Sequence, residues 1–235
     1  FNGVNFTDSE GLDNKLDDAL ATWEREYHII DKPKNIGDRF VRVLQQAYVQ
    51  TGKRCVVLID EYDKPLLDVL GEKQELTNRN VLKGFYSAFK AADQYLRFVL
   101  LTGVTKFSQV SVFSGFNQPL DISMNPKYET ICGITDQELS DYFADSMDEL
   151  SVQYGLSNDD MKHLLKQRYD GYHFSPACTD VYNPFSLLNV FGSGELSDYW
   201  CASGTPMYLI RLLENREVDL SVLLSRAYEA SYFID

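Results

Sequence analysis

The sequence predicts the α/β fold class, with a parallel sheet flanked by helices and then a smaller, mostly helical second part. The unbroken apolar run 55–59 is typical of a strand that is buried on both faces, and 98–101 predicts a second, fully apolar strand. Helical periodicity precedes the first run and fills the interval between the runs, and strands that alternate with helices form parallel sheets. Beyond about Pro126 helical segments dominate, which predicts two domains, 1–126 and 127–235.

The individual elements follow from local signals. A first helix is expected after 7–10, where N-cap candidates and early acids precede apolar residues at helical spacing. A second follows Asn35 and ends at Gly52, where a C-cap glycine belongs, and a third covers 78–92. In the second domain, which is expected to be a helical lid with a winged-helix-like form as one option, the predicted helical segments are 136–154, 158–169, 184–191 and 206–214.

Composition and charge limit the classes of function. The 235 residues carry a formal net charge of −13, which disfavours direct nucleic-acid binding by this segment, because non-specific affinity comes from Lys and Arg that neutralise phosphates. The longest apolar runs are far too short to cross a bilayer, so no membrane association is expected. No signal peptide is visible and the four cysteines form no C-x-x-C pair, so a cytoplasmic location is predicted.

The end of the first predicted strand is the most informative segment, because Asp60 and Glu61 follow four apolar residues there. In open α/β sheets, ligands bind at the carboxyl ends of the strands. A carboxylate at Asp60 can hold a water of an Mg²⁺ shell, since Mg²⁺ is a hard ion that keeps several waters. Glu61 can polarise a water that attacks a γ-phosphate. The alternative is that both acids merely leave a buried strand and cap the next turn.

Thr102 ends the second predicted strand at the same edge of the sheet, and the one helix between the strands fits a right-handed crossover. Its hydroxyl can hydrogen-bond a γ-phosphate or the attacking water, the role called sensor 1 in ATPases. The alternative is a hydrogen-bonded turn at a strand end. Lys106, just beyond the strand, can reach a phosphate, or it can be an ordinary solvated lysine.

These residues together predict a P-loop NTPase-type core that uses ATP and Mg²⁺. A phosphate-binding loop of the form G-x-x-x-x-G-K-[ST] does not occur in the sequence. That loop supplies the backbone amides and the lysine that hold the β- and γ-phosphates. Either the sequence starts after the loop, which we favour, or the protein has lost it. This segment alone is therefore expected to bind ATP weakly and to be inactive as an ATPase.

Five segments resemble the predicted AAA-ATPase-like proteins of bacteria, and the resemblance extends over nearly the whole chain. The segments are 1–12, 57–65, 101–108, 169–174 and 181–186. Asp-Glu-Tyr-Asp-Lys-Pro at 60–65 and Tyr-Asp-Gly-Tyr at 169–172 are specific to that family rather than to P-loop proteins in general.

The resemblance implies roles for individual residues. Asp60 and Glu61 correspond to Walker B, and Thr102 corresponds to the sensor position. Gly204 and Pro206 lie in a segment similar to the G-x-P turn that brings the lid against the nucleotide in related ATPases. The alternative for these two residues is that Gly followed by Pro simply marks the start of a helix.

The family also implies partners outside the sequence. Its members typically carry a Walker A loop upstream and a PD-(D/E)XK nuclease-like domain downstream. The resemblance therefore implies an ATP-binding or ATP-hydrolysing AAA-like module that switches an attached, nuclease-like effector domain. A non-hydrolytic interaction or regulatory scaffold is the alternative. Whether the protein forms a homo-oligomer stays open, and a nuclease role for this segment, with Asp170 as a carboxylate, is disfavoured because no later strand carries Glu-x-Lys.

Overall fold

The computed structural model of the chain describes residues 1, 3–8, 10–104, 112–113, 119–171 and 179–199. These residues fall into two compact units, the first within 1–119 and the second beginning at Leu120. The domain limits at 126 and 127 stay a prediction. None of the helices in the described part of the chain is long and apolar enough to cross a membrane.

The first unit alternates helices with two strands, as the sequence predicts. Its elements are α1 (Gly11–Glu26), α2 (Ile36–Thr51), β1 (Cys55–Ile59), α3 (Lys64–Leu67), α4 (Lys73–Ala91) and β2 (Leu96–Leu101), with a short 3-10 turn at Asp93–Tyr95. Helix α2 begins after Asn35, whose side-chain oxygen accepts the amides of Gly37 and Asp38, and it ends at Gly52 with φ 68°. Helix α4 starts five residues before the predicted 78, at Lys73.

The sheet consists, over the described residues, of β1 and β2 paired in parallel. The register places Val57 opposite Val99 and Ile59 opposite Leu101. Parallel neighbours need a crossover connection, which here contains α4. The predicted parallel α/β arrangement is therefore present as a small sheet with flanking helices, whereas a complete P-loop sheet and a lid stay predictions.

One face of this sheet packs on the hydrophobic core. Val57 and Ile59 of β1, together with Val99 and Leu101 of β2, contact a buried cluster that helices α1, α2 and α4 supply. Aromatic rings fill the centre of that cluster: Phe40 stacks on Phe85 with 4.9 Å between centroids, and its edge contacts Phe89. The helices thus fix the position of the two strands from one side.

The opposite face of the sheet is not covered by the described residues, which corrects the expectation that the first strand is buried on both faces. Val56, Leu58 and Phe98 have exposed fractions of 56%, 68% and 52%. Side chains alternate between the two faces of a strand, so these residues point away from the core-facing set. The sequence prediction was wrong because a continuous apolar run does not say which face is covered. We call Val56, Leu58 and Phe98 the open sheet face.

A buried ion cluster holds α1 against α2. Arg39 donates two hydrogen bonds to the buried Glu24, at 2.7 and 3.0 Å, and also pairs with Asp17. Lys32 adds a contact of 2.9 Å to the same Glu24 carboxylate. Hydrogen bonding from Arg39, more than from Lys32, lowers the pKa of Glu24, so this carboxyl group is ionised at neutral pH.

The second unit is mostly helical. Its helices are α5 (Asp136–Tyr142), α6 (Ala144–Tyr154), α7 (Asn158–Tyr169) and α8 (Pro184–Ser193), and a short 3-10 turn covers Pro126–Tyr128. An isolated antiparallel bridge joins Ile134 to Tyr182, and the Tyr182 hydroxyl donates to Asp136 at 2.7 Å. The helix predicted over 136–154 is broken at Phe143, whose backbone leaves the helical region. The helix predicted over 206–214 lies outside the described residues.

Candidate functional site

The carboxyl ends of β1 and β2 bring two predicted site residues together. Asp60 follows β1 and Thr102 follows β2, and the pairing of Ile59 with Leu101 aligns the two strand ends. The Thr102 hydroxyl (Oγ1) donates a hydrogen bond of 2.5 Å to Asp60 Oδ1. By strand alternation Asp60 follows Leu58 on the open sheet face, and the pair therefore stands at the end of the face that the core helices do not cover.

The Asp60 carboxylate is exposed and held by two donors. Besides the Thr102 hydroxyl, the amide of Glu61 donates to Oδ1 at 2.9 Å. The hydrogen bond from Thr102 is the main cause that lowers the pKa of Asp60, and the Glu61 amide adds to it. Asp60 is consequently an anion at neutral pH, with its carboxylate oriented before any ligand arrives.

Glu61 combines two unfavourable features. Its backbone is left-handed, with φ 54°, a region that costs a non-glycine residue on the order of 1–3 kcal/mol. Its Oε2 is buried and has no hydrogen-bond partner among the described residues. A buried carboxylate oxygen without a partner is costly. Strain and an unsatisfied polar group at one residue are typical of functional sites, where another requirement keeps them.

The turns that follow the two strands are tied to each other through Thr102, Val104 and Asp63. The Thr102 amide donates to Ile59 O, and Thr102 O accepts from the Tyr62 amide, both at 2.9 Å. Next, Asp63 Oδ2 accepts from the Val104 amide at 2.7 Å. These three hydrogen bonds therefore fix 102–104 to the last residue of β1 and to the turn that follows it.

Gly103 leaves no room for a side chain in this arrangement. A Cβ atom at Gly103 would lie 2.6 Å from Tyr62 Cε1 and 2.7 Å from Asp63 Oδ1. Sequence reasoning missed Asp63 and Gly103 as contributors to the site. Both lie in segments that resemble the family. That resemblance was the one sequence signal for these two residues, and it did not indicate what either of them does.

Asn78 of α4 holds α3, the short helix that follows the acidic segment after β1. Its buried side-chain amide donates to Pro65 O at 2.7 Å and to Phe6 O at 3.3 Å. Gln74 donates to the Asn78 oxygen at 2.9 Å. Asn78 thus links α4 to α3, which directly follows the acidic segment after β1, and to the segment before α1.

The remaining predicted site residues, Lys106, Gly204 and Pro206, lie outside the described residues. Their predicted roles stay predictions.

The residues at the strand ends suit a magnesium–nucleotide ligand by their chemistry. Asp60, Glu61 and Thr102 offer oxygen atoms, which Mg²⁺ prefers, and Glu61 Oε2 is a buried oxygen that lacks a partner in the described part of the chain. No group of three or more His, Cys, Asp or Glu side chains within the described residues could hold a metal directly.

Fold and site together define a class: an α/β protein with an acid–hydroxyl pair at the carboxyl edge of a parallel sheet. Comparisons with known proteins show what the chain is similar to. Residues 1–113, just under half of the chain, match the family model described as Predicted AAA-ATPase. The match confirms the resemblance to the predicted AAA-ATPase-like family, and it includes both strands and the Asp60–Thr102 pair.

A curated relative matches a larger share of the chain. It is described as "Uncharacterized protein in vnfD 5'region" of Azotobacter chroococcum mcd 1, and it is 36% identical over 217 residues, which are 92% of this chain. The chain spans 40% of the length of that relative. No solved structure matches the chain significantly.

Proposed function

We propose that the chain contributes the Walker B and sensor half of the ATP site in an AAA-like module that binds and hydrolyses ATP. The hydrogen bond from Thr102 to Asp60 carries this proposal, because it joins an ionised acid and a hydroxyl at the ligand-binding edge of a parallel sheet. The match of 1–113 to predicted AAA-ATPases supports it independently.

Asp60 is proposed to hold Mg²⁺ through a water molecule. Its lowered pKa keeps it anionic, and its exposure leaves the carboxylate accessible to a hydrated ion. When bound, Mg²⁺ neutralises charge on the β- and γ-phosphate oxygens. The two donors on Oδ1 orient the carboxylate in advance, so little reorganisation is needed.

Thr102 is proposed as the sensor. Its hydroxyl proton is donated to Asp60, so the hydroxyl oxygen can still accept a hydrogen bond from a water. To donate to a γ-phosphate, the hydroxyl must first break its hydrogen bond to Asp60. The hydroxyl thus has two alternative partners, a carboxylate and a phosphate. This exchange is a physical means by which the site can distinguish nucleotide states.

Glu61 is proposed as the general base that orients the attacking water. Its buried Oε2 must become accessible for that role. The left-handed backbone favours such a change, because a conformation in which φ becomes negative relieves the strain.

The finer roles belong to the same proposal. Lys106 would contact phosphate, and Gly204 and Pro206 would bring a helical lid to the nucleotide. Coupling to an attached effector of the nuclease-like kind is proposed from the family alone. The curated relative is long enough for such a domain, since the chain spans only 40% of it.

ATP turnover by the full-length protein tests this proposal. We expect Mg²⁺-dependent hydrolysis that Glu61→Gln lowers by roughly 10²–10⁴-fold while ATP binding persists. Glu26→Gln, an exposed acid in the last turn of α1, is the matched control and should leave turnover unchanged. Specific ATP binding without turnover would favour the non-hydrolytic scaffold, and turnover that Glu61→Gln leaves intact would overturn the role of Glu61.

A further inference from the structure

We propose that Asp63 is a positioning residue for this site: it holds the turn after β2 so that the Thr102 hydroxyl faces Asp60. This inference rests on the proposed ATPase function, since it assigns a role at the same site. Asp63 does not act on the nucleotide itself and works through Thr102.

Burial is the first observation. Asp63 is completely buried, and a buried carboxylate is retained in a fold when it satisfies other polar groups. Asp63 precedes α3, where an acid usually caps the helix, yet its side chain makes no capping hydrogen bond to α3. Ordinary helix capping therefore does not explain the residue.

A hydrogen bond between Asp63 and the turn after β2 indicates its role. Its Oδ2 accepts from the amide of Val104, 41 positions away, at 2.7 Å. A hydrogen bond from a backbone amide to a carboxylate is charge-assisted and stronger than a neutral one. Asp63 thus fixes the second residue after Thr102, at the point where the backbone leaves the sheet.

Gly103 allows the turn after β2 to pack closely against Tyr62 and Asp63. It lies against both the Tyr62 ring and the Asp63 carboxylate, where a Cβ atom would meet atoms at 2.6–2.7 Å. Together with the hydrogen bonds of Thr102 N to Ile59 O and of Tyr62 N to Thr102 O, this packing fixes the backbone on both sides of Thr102. The direction of the Thr102 hydroxyl therefore depends on Asp63.

Steady-state ATP turnover of the full-length protein provides the first test. Asp63→Ala removes the acceptor, and we expect kcat to fall roughly 10–100-fold with KM for ATP changed by less than about 3-fold. Asp63→Asn keeps an oxygen that can accept the Val104 amide and should restore most of kcat. Asp68→Ala, which changes the acid at the other end of α3, is the control and should resemble the wild type.

A double-mutant cycle tests whether Asp63 acts through Thr102. If it does, adding Asp63→Ala to Thr102→Val lowers kcat little further, because the hydroxyl that Asp63 positions is already gone. Independent, multiplying losses would overturn the proposal. Gly103→Ala, which disturbs the same turn from the other side, should reproduce the loss of kcat if Asp63→Ala folds poorly.

Amide hydrogen exchange, measured on the same proteins, reports the stability of the turn independently of ATPase activity. Asp63→Ala should accelerate exchange of the Val104 and Tyr62 amides, and Asp68→Ala should not. Unchanged exchange at both amides would contradict the proposal even if kcat falls. A wild type without turnover would refute the ATPase function, and exchange would still decide whether Asp63 holds the turn. Conversely, if Asp63→Ala has a normal kcat while Thr102→Val has a low kcat, only the role of Asp63 is refuted.

Discussion

The Thr102 hydroxyl and the Asp60 carboxylate, 42 positions apart in the chain, are joined by a hydrogen bond of 2.5 Å. The bond crosses between the carboxyl ends of two parallel strands, so the sheet itself determines the distance between the two side chains. Since the hydroxyl donates, the acid stays ionised and the hydroxyl oxygen is left as an acceptor. A change at either residue should therefore be detectable at the other.

The first prediction concerns the pKa of Asp60. Thr102→Val removes the main cause that lowers this pKa, so the value should rise toward that of an ordinary aspartate, whereas Thr102→Ser should preserve it. A pKa that is lower in the folded than in the unfolded state stabilises the fold at pH values above the ordinary pKa of aspartate. This stabilisation is lost as the pH falls through the lowered pKa. Carbon-13 NMR titration of the side-chain carboxyl measures it. An unchanged pKa in Thr102→Val would mean that the hydrogen bond does not form in solution.

The second prediction concerns the strain at Glu61. Both Glu61→Ala and Glu61→Gly remove the carboxylate, but only glycine adopts φ 54° without strain. Glu61→Gly should therefore be more stable than Glu61→Ala by about 1 kcal/mol, and both should lack turnover. Urea denaturation compares the two variants directly. Equal stabilities would show that the left-handed backbone is not maintained at this position.

The third prediction concerns the ion cluster between α1 and α2. Arg39→Met removes one of the cations that pair with the buried Glu24 and leaves it with Lys32, so it should lower the free energy of unfolding by about 3 kcal/mol. The double variant Glu24→Leu with Arg39→Met should recover much of that loss. The wild-type advantage should be present above the ordinary pKa of glutamate and decline as the pH falls through the lowered pKa of Glu24.

Chemical denaturation at several pH values measures these stabilities. An Arg39→Met variant as stable as the wild type at neutral pH would contradict the assignment of Glu24 as a buried, ionised partner.

The fourth prediction compares an exposed leucine and a buried leucine of the first unit. Leu58 lies on the open sheet face, and Leu82 is completely buried in the core. Leu58→Ala should change the stability of this chain by about 0.5 kcal/mol or less, whereas Leu82→Ala should cost about 2–5 kcal/mol. Thermal unfolding of the two variants makes the comparison. Similar losses in both would indicate that the open sheet face is covered in solution.

Much of the first unit could be predicted from the sequence because its signals are local. The caps at Asn35 and Gly52 mark helix ends through the chemistry of single residues. The pairing of Asp60 with Thr102 was also within reach, since strand ends in a parallel sheet share an edge. The break at Phe143 was not, because no glycine or proline marks it.

Features that depend on long-range packing could not be predicted. The burial of Asp63 and its bond to Val104 require knowledge of which turns lie side by side. The exposure of Leu58 likewise depends on which face the helices cover, and an apolar run carries no such information.

Paramagnetic relaxation with Mn²⁺ in place of Mg²⁺ tests most directly whether the β1–β2 edge faces a metal–nucleotide complex. With ATP and Mn²⁺ bound to the full-length protein, amide resonances of Asp60, Glu61 and Thr102 should broaden first, and that of Glu26 should stay sharp. Broadening that requires ATP and disappears with excess Mg²⁺ is the predicted result. Sharp resonances at these three residues in the presence of bound Mn²⁺–ATP would contradict the site.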